Sequence, residues 1–146
     1  MKQEMKQEMK REILFRGKRT FCNEWVYGDL GHFPDRTKID THENGQPWRG
    51  YDVFPETVGQ FTGMIDKNGK KIFEGDIVRS YDPDYPESQM DCGVGQVEFY
   101  AGLWYVSGEV HNSLYDLSTI SCKELEVIGN IHDNPELLEG GVEECG

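Results

Sequence analysis

Apolar positions in this chain fall in short runs, broken every few residues by glycine, proline, asparagine or aspartate, without the spacing of a long buried helix face. Ile13-Leu14-Phe15 and Glu24-Trp25-Val26-Tyr27 read as strands, with Arg16-Gly17-Lys18-Arg19 as the turn between them. Residues 31–50 are rich in turn formers and predict a long loop or an irregular hairpin. Further on, Phe61-Thr62-Gly63-Met64-Ile65 and Lys71-Ile72-Phe73 flank Asp66-Lys67-Asn68-Gly69. Asn-Gly is the pair that a type I′ hairpin turn selects, because both central positions need φ above zero. Glu74-Gly75-Asp76 then turns the chain into a strand at Ile77-Val78-Arg79. Two prolines and four acids make residues 81–93 a loop. A second hairpin joins Gly95-Gln96-Val97-Glu98-Phe99-Tyr100 to Leu103-Trp104-Tyr105-Val106 through Ala101-Gly102. Ser121 and Glu124 have capping-box spacing, Leu125-Glu126-Val127-Ile128-Gly129-Asn130-Ile131 reads as a last strand, and Asn134-Pro135-Glu136 as the start of a short helical turn.

Short strands joined by loops, with no crossover helices, predict an antiparallel barrel or sandwich. Composition agrees: aromatic residues make up 12%, Gly and Pro number 17 and 6, and the single alanine is Ala101, which excludes an all-α bundle. The 146 residues are one domain's worth of chain, long enough to form a core without disulfides or metal. No run of about 18 apolar residues exists, so no membrane-spanning helix is expected, and the charged N-terminus lacks the apolar stretch of a signal peptide.

Charge changes the picture more. The net charge is −12, yet residues 1–19 hold seven basic and three acidic side chains, leaving −16 for residues 20–146. An acidic surface repels polyanions, which argues against a general nucleic-acid binder while leaving room for a local basic patch. Residues 1–10 repeat a Met-Lys-Gln-Glu unit and read as a flexible leader, because the period of four stacks like charges at i,i+4. Residues 139–146 read as a solvated acidic tail. Cys22, Cys92, Cys122 and Cys145 stand singly, with neither zinc nor redox spacing, and read as reduced cytoplasmic thiols.

The segment from Arg11 through Ile13-Leu14-Phe15-Arg16-Gly17-Lys18, Trp25 with Tyr27-Gly28-Asp29-Leu30, the run from Pro55 through Gly59-Gln60-Phe61-Thr62-Gly63 and Asn68-Gly69 to Gly75-Asp76-Ile77-Val78, and the ending Gly129-Asn130-Ile131 with Asp133-Asn134-Pro135-Glu136 together resemble the YopX family of phage and prophage proteins over about residues 11–138. The resemblance implies a mainly β protein with an SH3-like barrel in its C-terminal half, here residues 61–131, and a β-rich N-terminal part, residues 11–60. It implies no particular biochemical activity. Gly59, Gly63, Asn68, Gly69, Gly75, Asp76, Gly129, Asn130 and Pro135 are expected to serve turns and bends of that fold.

Chemistry is sparse. His32, His42, His111 and His132 lie in or beside predicted loops without a nucleophile or metal partner in sequence. The Asp82, Asp84, Glu87 and Asp91 cluster lacks the spacing of a calcium loop, and Gly93-Val94-Gly95 is no phosphate loop. No catalytic residue, metal or cofactor is therefore expected. Arg11, Arg16, Lys18 and Arg19, with Trp25 and Tyr27, form the candidate contact surface for a partner or a single strand of nucleic acid. The leading expectation is a non-enzymatic accessory protein that works by protein–protein contact and assembles with itself. A nucleic-acid-associated factor using residues 11–19 is the first alternative, and an acidic DNA mimic using the 81–93 loop and the tail is the second.

Overall fold

Successive side chains of a strand point to opposite faces of a sheet, so strand register decides which residues of distant segments meet. The computed structural model describes residues 11–43, 50–81, 91–108, 112–117 and 124–138. Its strands are β1 (Phe15–Lys18), β2 (Trp25–Phe33), β3 (Arg36–Asp40), β4 (Tyr51–Asp52), β5 (Gly59–Ile65), β6 (Lys71–Phe73), β7 (Asp76–Tyr81), β8 (Asp91–Tyr100), β9 (Leu103–Gly108), β10 (Asn112–Ser113) and β11 (Glu124–Asn130). A 3-10 turn at Pro55–Thr57 and a helical turn at Leu114–Asp116 lie between strands. The protein is mainly β and antiparallel, as composition predicts. It divides into two compact units after Gly63.

The N-terminal unit arranges its strands as β4-β3-β2-β1-β5. Pairing of Arg16 with Tyr27, Lys18 with Trp25, and Arg16 with Gly59 makes Arg16-Gly17-Lys18 a central strand. That corrects the turn expected there: charge and glycine argue for a bend, but two flanking strands claim the backbone hydrogen bonds. The turn falls at Thr20-Phe21-Cys22 instead, with Asn23 in the left-handed region at φ 61° and its N–H donated to Arg19 O at 2.9 Å. The chain leaving β4 returns to β1 through an Arg19–Val53 bridge, Thr20 N–H to Asp52 O at 3.0 Å and Phe54 N–H to Lys18 O at 2.9 Å. Ile39 and Val53 are buried, and Val53 packs on Gly17. Residues 25–40 are a long β2–β3 hairpin, so the first half of the loop expected at 31–50 is strand; residues 44–49 lie outside the described residues.

In the C-terminal unit the sheet order is β10-β9-β8-β7-β11. Ile72, Val78, Val97, Val106, Leu114, Leu117 and Leu125 form its core, with Met64, Trp104 and Val127 packed against them. The loop expected at 81–93 shrinks at both ends: Tyr81 pairs with Asp91 and Ser80 with Gly93, while residues 82–90, which hold both prolines, lie outside the described residues. β11 begins at Glu124, the residue expected at the third position of a capping box, and Ser121 is outside the described residues.

The type I′ geometry expected at Asn68-Gly69 is found at the other hairpin turn. Ala101 and Gly102 both have positive φ, 51° and 81°, between the paired Tyr100 and Leu103, which is the type I′ arrangement. At the β5–β6 turn only Gly69 is left-handed, at φ 83°, and Asn68 is not. The Asp66 side chain explains the difference: its Oδ1 accepts the N–H groups of Asn68 and Lys70 at 2.8 and 2.9 Å, and Gly69 N–H closes onto Asp66 O at 3.0 Å. The result is a type I turn followed by a left-handed glycine. The same turn lies along β11, where Asp66 Oδ2 accepts Val127 N–H at 3.0 Å and Lys67 N–H reaches Leu125 O at 2.9 Å. Groups on that strand that an open edge would expose are thereby satisfied.

Candidate interaction surface

Register brings four of the six expected contact residues onto one face of the N-terminal sheet. Arg16 stands opposite Tyr27 and Lys18 opposite Trp25, and each pair is two residues from the other along its strand. Arg16 Cζ lies 4.6 Å from the centroid of the Trp25 ring and Lys18 Nζ 5.6 Å from it, both within cation–π range. Their accessibility differs. Arg16 is 5% exposed, whereas Tyr27 is 45% exposed. Tyr27 is thus open to solvent, Lys18 and Trp25 are half-buried beside it, and the Arg16 guanidinium packs beneath the Trp25 ring. Thr57 fixes the Lys18 backbone: its Oγ1 accepts Lys18 N–H at 2.9 Å and donates to Phe54 O at 2.6 Å.

Arg19 belongs elsewhere. Its guanidinium stacks on Tyr51 at 4.2 Å, beside a shallow cleft of about 530 Å³ lined also by Phe21, Lys38 and Asp52. Phe21, on the turn after β1, is 89% exposed. Lys38 Nζ pairs with Asp52 Oδ1 at 3.3 Å, so an acid tempers the positive charge of this cleft, while Arg36 Nε pairs with Asp35 Oδ1 at 3.5 Å at a different one. Arg11 is exposed, ahead of β1, and joins neither cluster.

A second surface lies in the C-terminal unit. At the end of the β8–β9 hairpin Phe99, Tyr100 and Leu103 are 56%, 64% and 55% exposed. Phe99 meets Trp104 edge-to-face with centroids 5.0 Å apart, and Tyr100 lies 6.0 Å from Tyr105. The sequence offers Tyr51, Tyr100, Trp104 and Tyr105 only as aromatics available for stacking and does not gather Tyr100 with Phe99 and Leu103 or bring Tyr51 to Arg19, although alternation through Phe99-Tyr100 and Leu103-Trp104 carries a signal: an aromatic pair at a hairpin end cannot bury both faces. Among the described residues no group of three or more His, Cys, Asp and Glu side chains is placed to hold a metal ion. His32 is exposed on β2, His132 lies in the turn after β11, and His111 and the acidic cluster at 82–87 fall outside the described residues. Cys22 is exposed and not in a disulfide. No helix among the described residues is long and apolar enough to cross a membrane.

The family model described as YopX protein matches residues 14–139. The chain belongs to the YopX family. It is similar to the "SPbeta prophage-derived uncharacterized protein YopX" of Bacillus subtilis strain 168, at 35% identity over 75 residues that make up 49% of this chain and 53% of that protein. The chain thus matches about half the length of this curated relative. The crystal structure of protein EF1440 from Enterococcus faecalis is similar in fold, with a TM-score of 0.53 and 25% identity, covering 88% of this chain and 99% of that one.

The residues that carry the YopX resemblance have structural work in this fold. Asp76 is 2% exposed, and its Oδ2 accepts Phe73 N–H at 2.7 Å across the Gly75 bend. Asn130 Oδ1 accepts the N–H groups of His132 and Asp133 at 3.0 and 2.9 Å, folding the chain back after β11. Gly129 makes room for that return, since a Cβ there would lie 2.6 Å from Asn134 Oδ1. Pro135 opens the closing helical turn, where Leu138 N–H reaches its carbonyl at 3.2 Å. Gly59 is a buried strand residue opposite Arg16, and Gly63 and Gly75 adopt φ of 91° and 92°.

Proposed function

We propose that this YopX-family protein is a non-enzymatic accessory protein of a phage or prophage, acting in the bacterial cytoplasm by protein–protein contact and assembling with itself. The observation that supports this reading is the exposed end of the β8–β9 hairpin, where Phe99, Tyr100 and Leu103 are each more than half exposed. Large apolar side chains left exposed on both faces of one hairpin end, two of them aromatic, are of the kind that interfaces between proteins bury. The strand order β11-β7-β8-β9-β10, with a helical turn ahead of the returning last strand, favours an SH3-like module as the scaffold. Sedimentation velocity tests the self-association. The native chain should gain mass with concentration in the high micromolar range, and the Tyr100→Glu, Leu103→Glu double variant should stay monomeric. A native chain that is monomeric throughout removes that part of the reading.

A second reading, a nucleic-acid-associated factor, is favoured by the distribution of charge. Residues 1–63 hold ten basic and ten acidic side chains, so Lys18, Trp25 and Tyr27 lie on a neutral unit and not on an acidic one. A single-stranded oligonucleotide at low salt should then bind the native chain and lose affinity on Lys18→Glu and Trp25→Ala; no binding at low salt rejects it.

A further inference from the structure

Asp29 of β2 and Asp40 of β3 stand directly opposite each other, a placement in which like charges repel. Asp40 is 2% exposed. Its Oδ1 accepts the His42 N–H at 2.8 Å, while its buried Oδ2 has no hydrogen-bond partner. His42 sits in the left-handed region at φ 60°, and its ring lies between the two carboxylates. Nε2 is 2.6 Å from Asp29 Oδ2, and Nδ1 is 3.8 Å from Asp40 Oδ2, within Coulombic reach but beyond a hydrogen bond. A neutral imidazole carries one ring proton, so with Nε2–H directed at Asp29 it turns the Nδ1 lone pair toward the buried Asp40 carboxylate. Only the imidazolium presents N–H to both acids. Neighbouring charged groups are engaged elsewhere: Lys38 with Asp52 at 3.3 Å, and Glu43 accepting from the Tyr51 hydroxyl at 2.9 Å.

The geometry assigns to His42 the role of a pH-sensitive clasp, which holds residues 41–43 tightly against the paired carboxylates of β2 and β3 when protonated and loosens when neutral. The hydrogen bond to Asp29, and then the charge of Asp40, raise the His42 pKa above its ordinary 6.5. A histidine whose folded pKa is raised contributes stability that is fully present below 6.5 and lost as pH rises through the folded value. Because Glu43 holds Tyr51, the ring on which Arg19 stacks, opening the clasp reaches the exposed cleft of the N-terminal unit.

Proton NMR titration of the full chain tests the clasp. The His42 ring should titrate above the ordinary histidine value, and Asp29→Asn should move its midpoint down. Hydrogen exchange, corrected for intrinsic rates, should show the His42 amide losing protection several-fold between about pH 6 and pH 9, with His42→Gln flat across that range. A His42 midpoint at the ordinary value, a midpoint indifferent to Asp29→Asn, or native-chain protection that does not change with pH overturns the proposal. If Asp29→Asn does not fold, the titration and exchange of the native chain decide it.

Discussion

Ala101, the only alanine in the chain, occupies the left-handed region at φ 51°, where an L side chain costs about 1–2 kcal/mol. Asparagine tolerates that conformation better and makes Asn-Gly with Gly102, so Ala101→Asn should stabilise the protein by about 1 kcal/mol in urea unfolding, with an unchanged m-value. Asp66 works in the opposite sense. Burial alone raises the pKa of its carboxyl group, but the N–H groups of Val127, Lys70 and Asn68, together with the Lys70 charge, outweigh it and hold the pKa below the ordinary 3.8. A depressed carboxylate contributes stability that is present above 3.8 and lost as pH falls through the folded value. Asp66→Asn places an amide donor among backbone donors and should cost about 2 kcal/mol near neutrality. That cost should shrink as pH falls below 3.8, and a loss equally large at neutral and strongly acidic pH would contradict the account.

At the scale of elements, the β2–β3 pair depends on a close approach. A Cβ at Gly28 would lie 2.0 Å from the Asp40 carbonyl oxygen and 3.1 Å from Thr41 Cα, both backbone atoms that cannot rotate aside. Gly28→Ala should therefore cost about 3 kcal/mol by chemical denaturation, the upper part of the range for overpacking. The contact is invisible in the sequence, where Tyr27-Gly28-Asp29 differs little from any other glycine in a strand. The strands themselves were legible wherever turn residues bracket apolar alternation, as at Phe61 to Phe73 and Gly95 to Val106. Legibility failed at Arg16-Gly17-Lys18, because the partners that make it a strand are 7 to 43 residues away in the chain. It failed in part at the contact surface too. Arg16-x-Lys18 and Trp25-x-Tyr27 share a face by simple period two, but nothing local shows that Arg16 is buried beneath Trp25 or that Tyr51 arrives beside Arg19.

At the scale of the whole molecule, charge follows the division into units. With ten acids balancing ten bases in residues 1–63, the C-terminal unit, residues 64–146, has five basic against seventeen acidic side chains and so carries the whole net charge of −12. The sequence places an excess of positive charge in residues 1–19, and the remainder of the N-terminal unit cancels it. Self-repulsion should therefore be concentrated in one unit, over distances comparable with the screening length of about 10 Å at 0.1 M salt. Reversing a charge there should relieve it. Glu98, opposite Tyr105 on β8, is suited to the test, and Glu98→Lys should raise stability by about 0.5 kcal/mol at low salt, a gain that fades as salt is added. Glu24→Lys, in the neutral unit and close in sequence to Lys18 and Arg19, removes an acid from a basic neighbourhood and should be neutral or destabilising at low salt. Thermal unfolding at two ionic strengths separates the cases: a gain from Glu98→Lys with no gain from Glu24→Lys, converging at high salt, supports a charge confined to one unit, whereas equal gains from both reversals would show the −12 acting as a single uniform field.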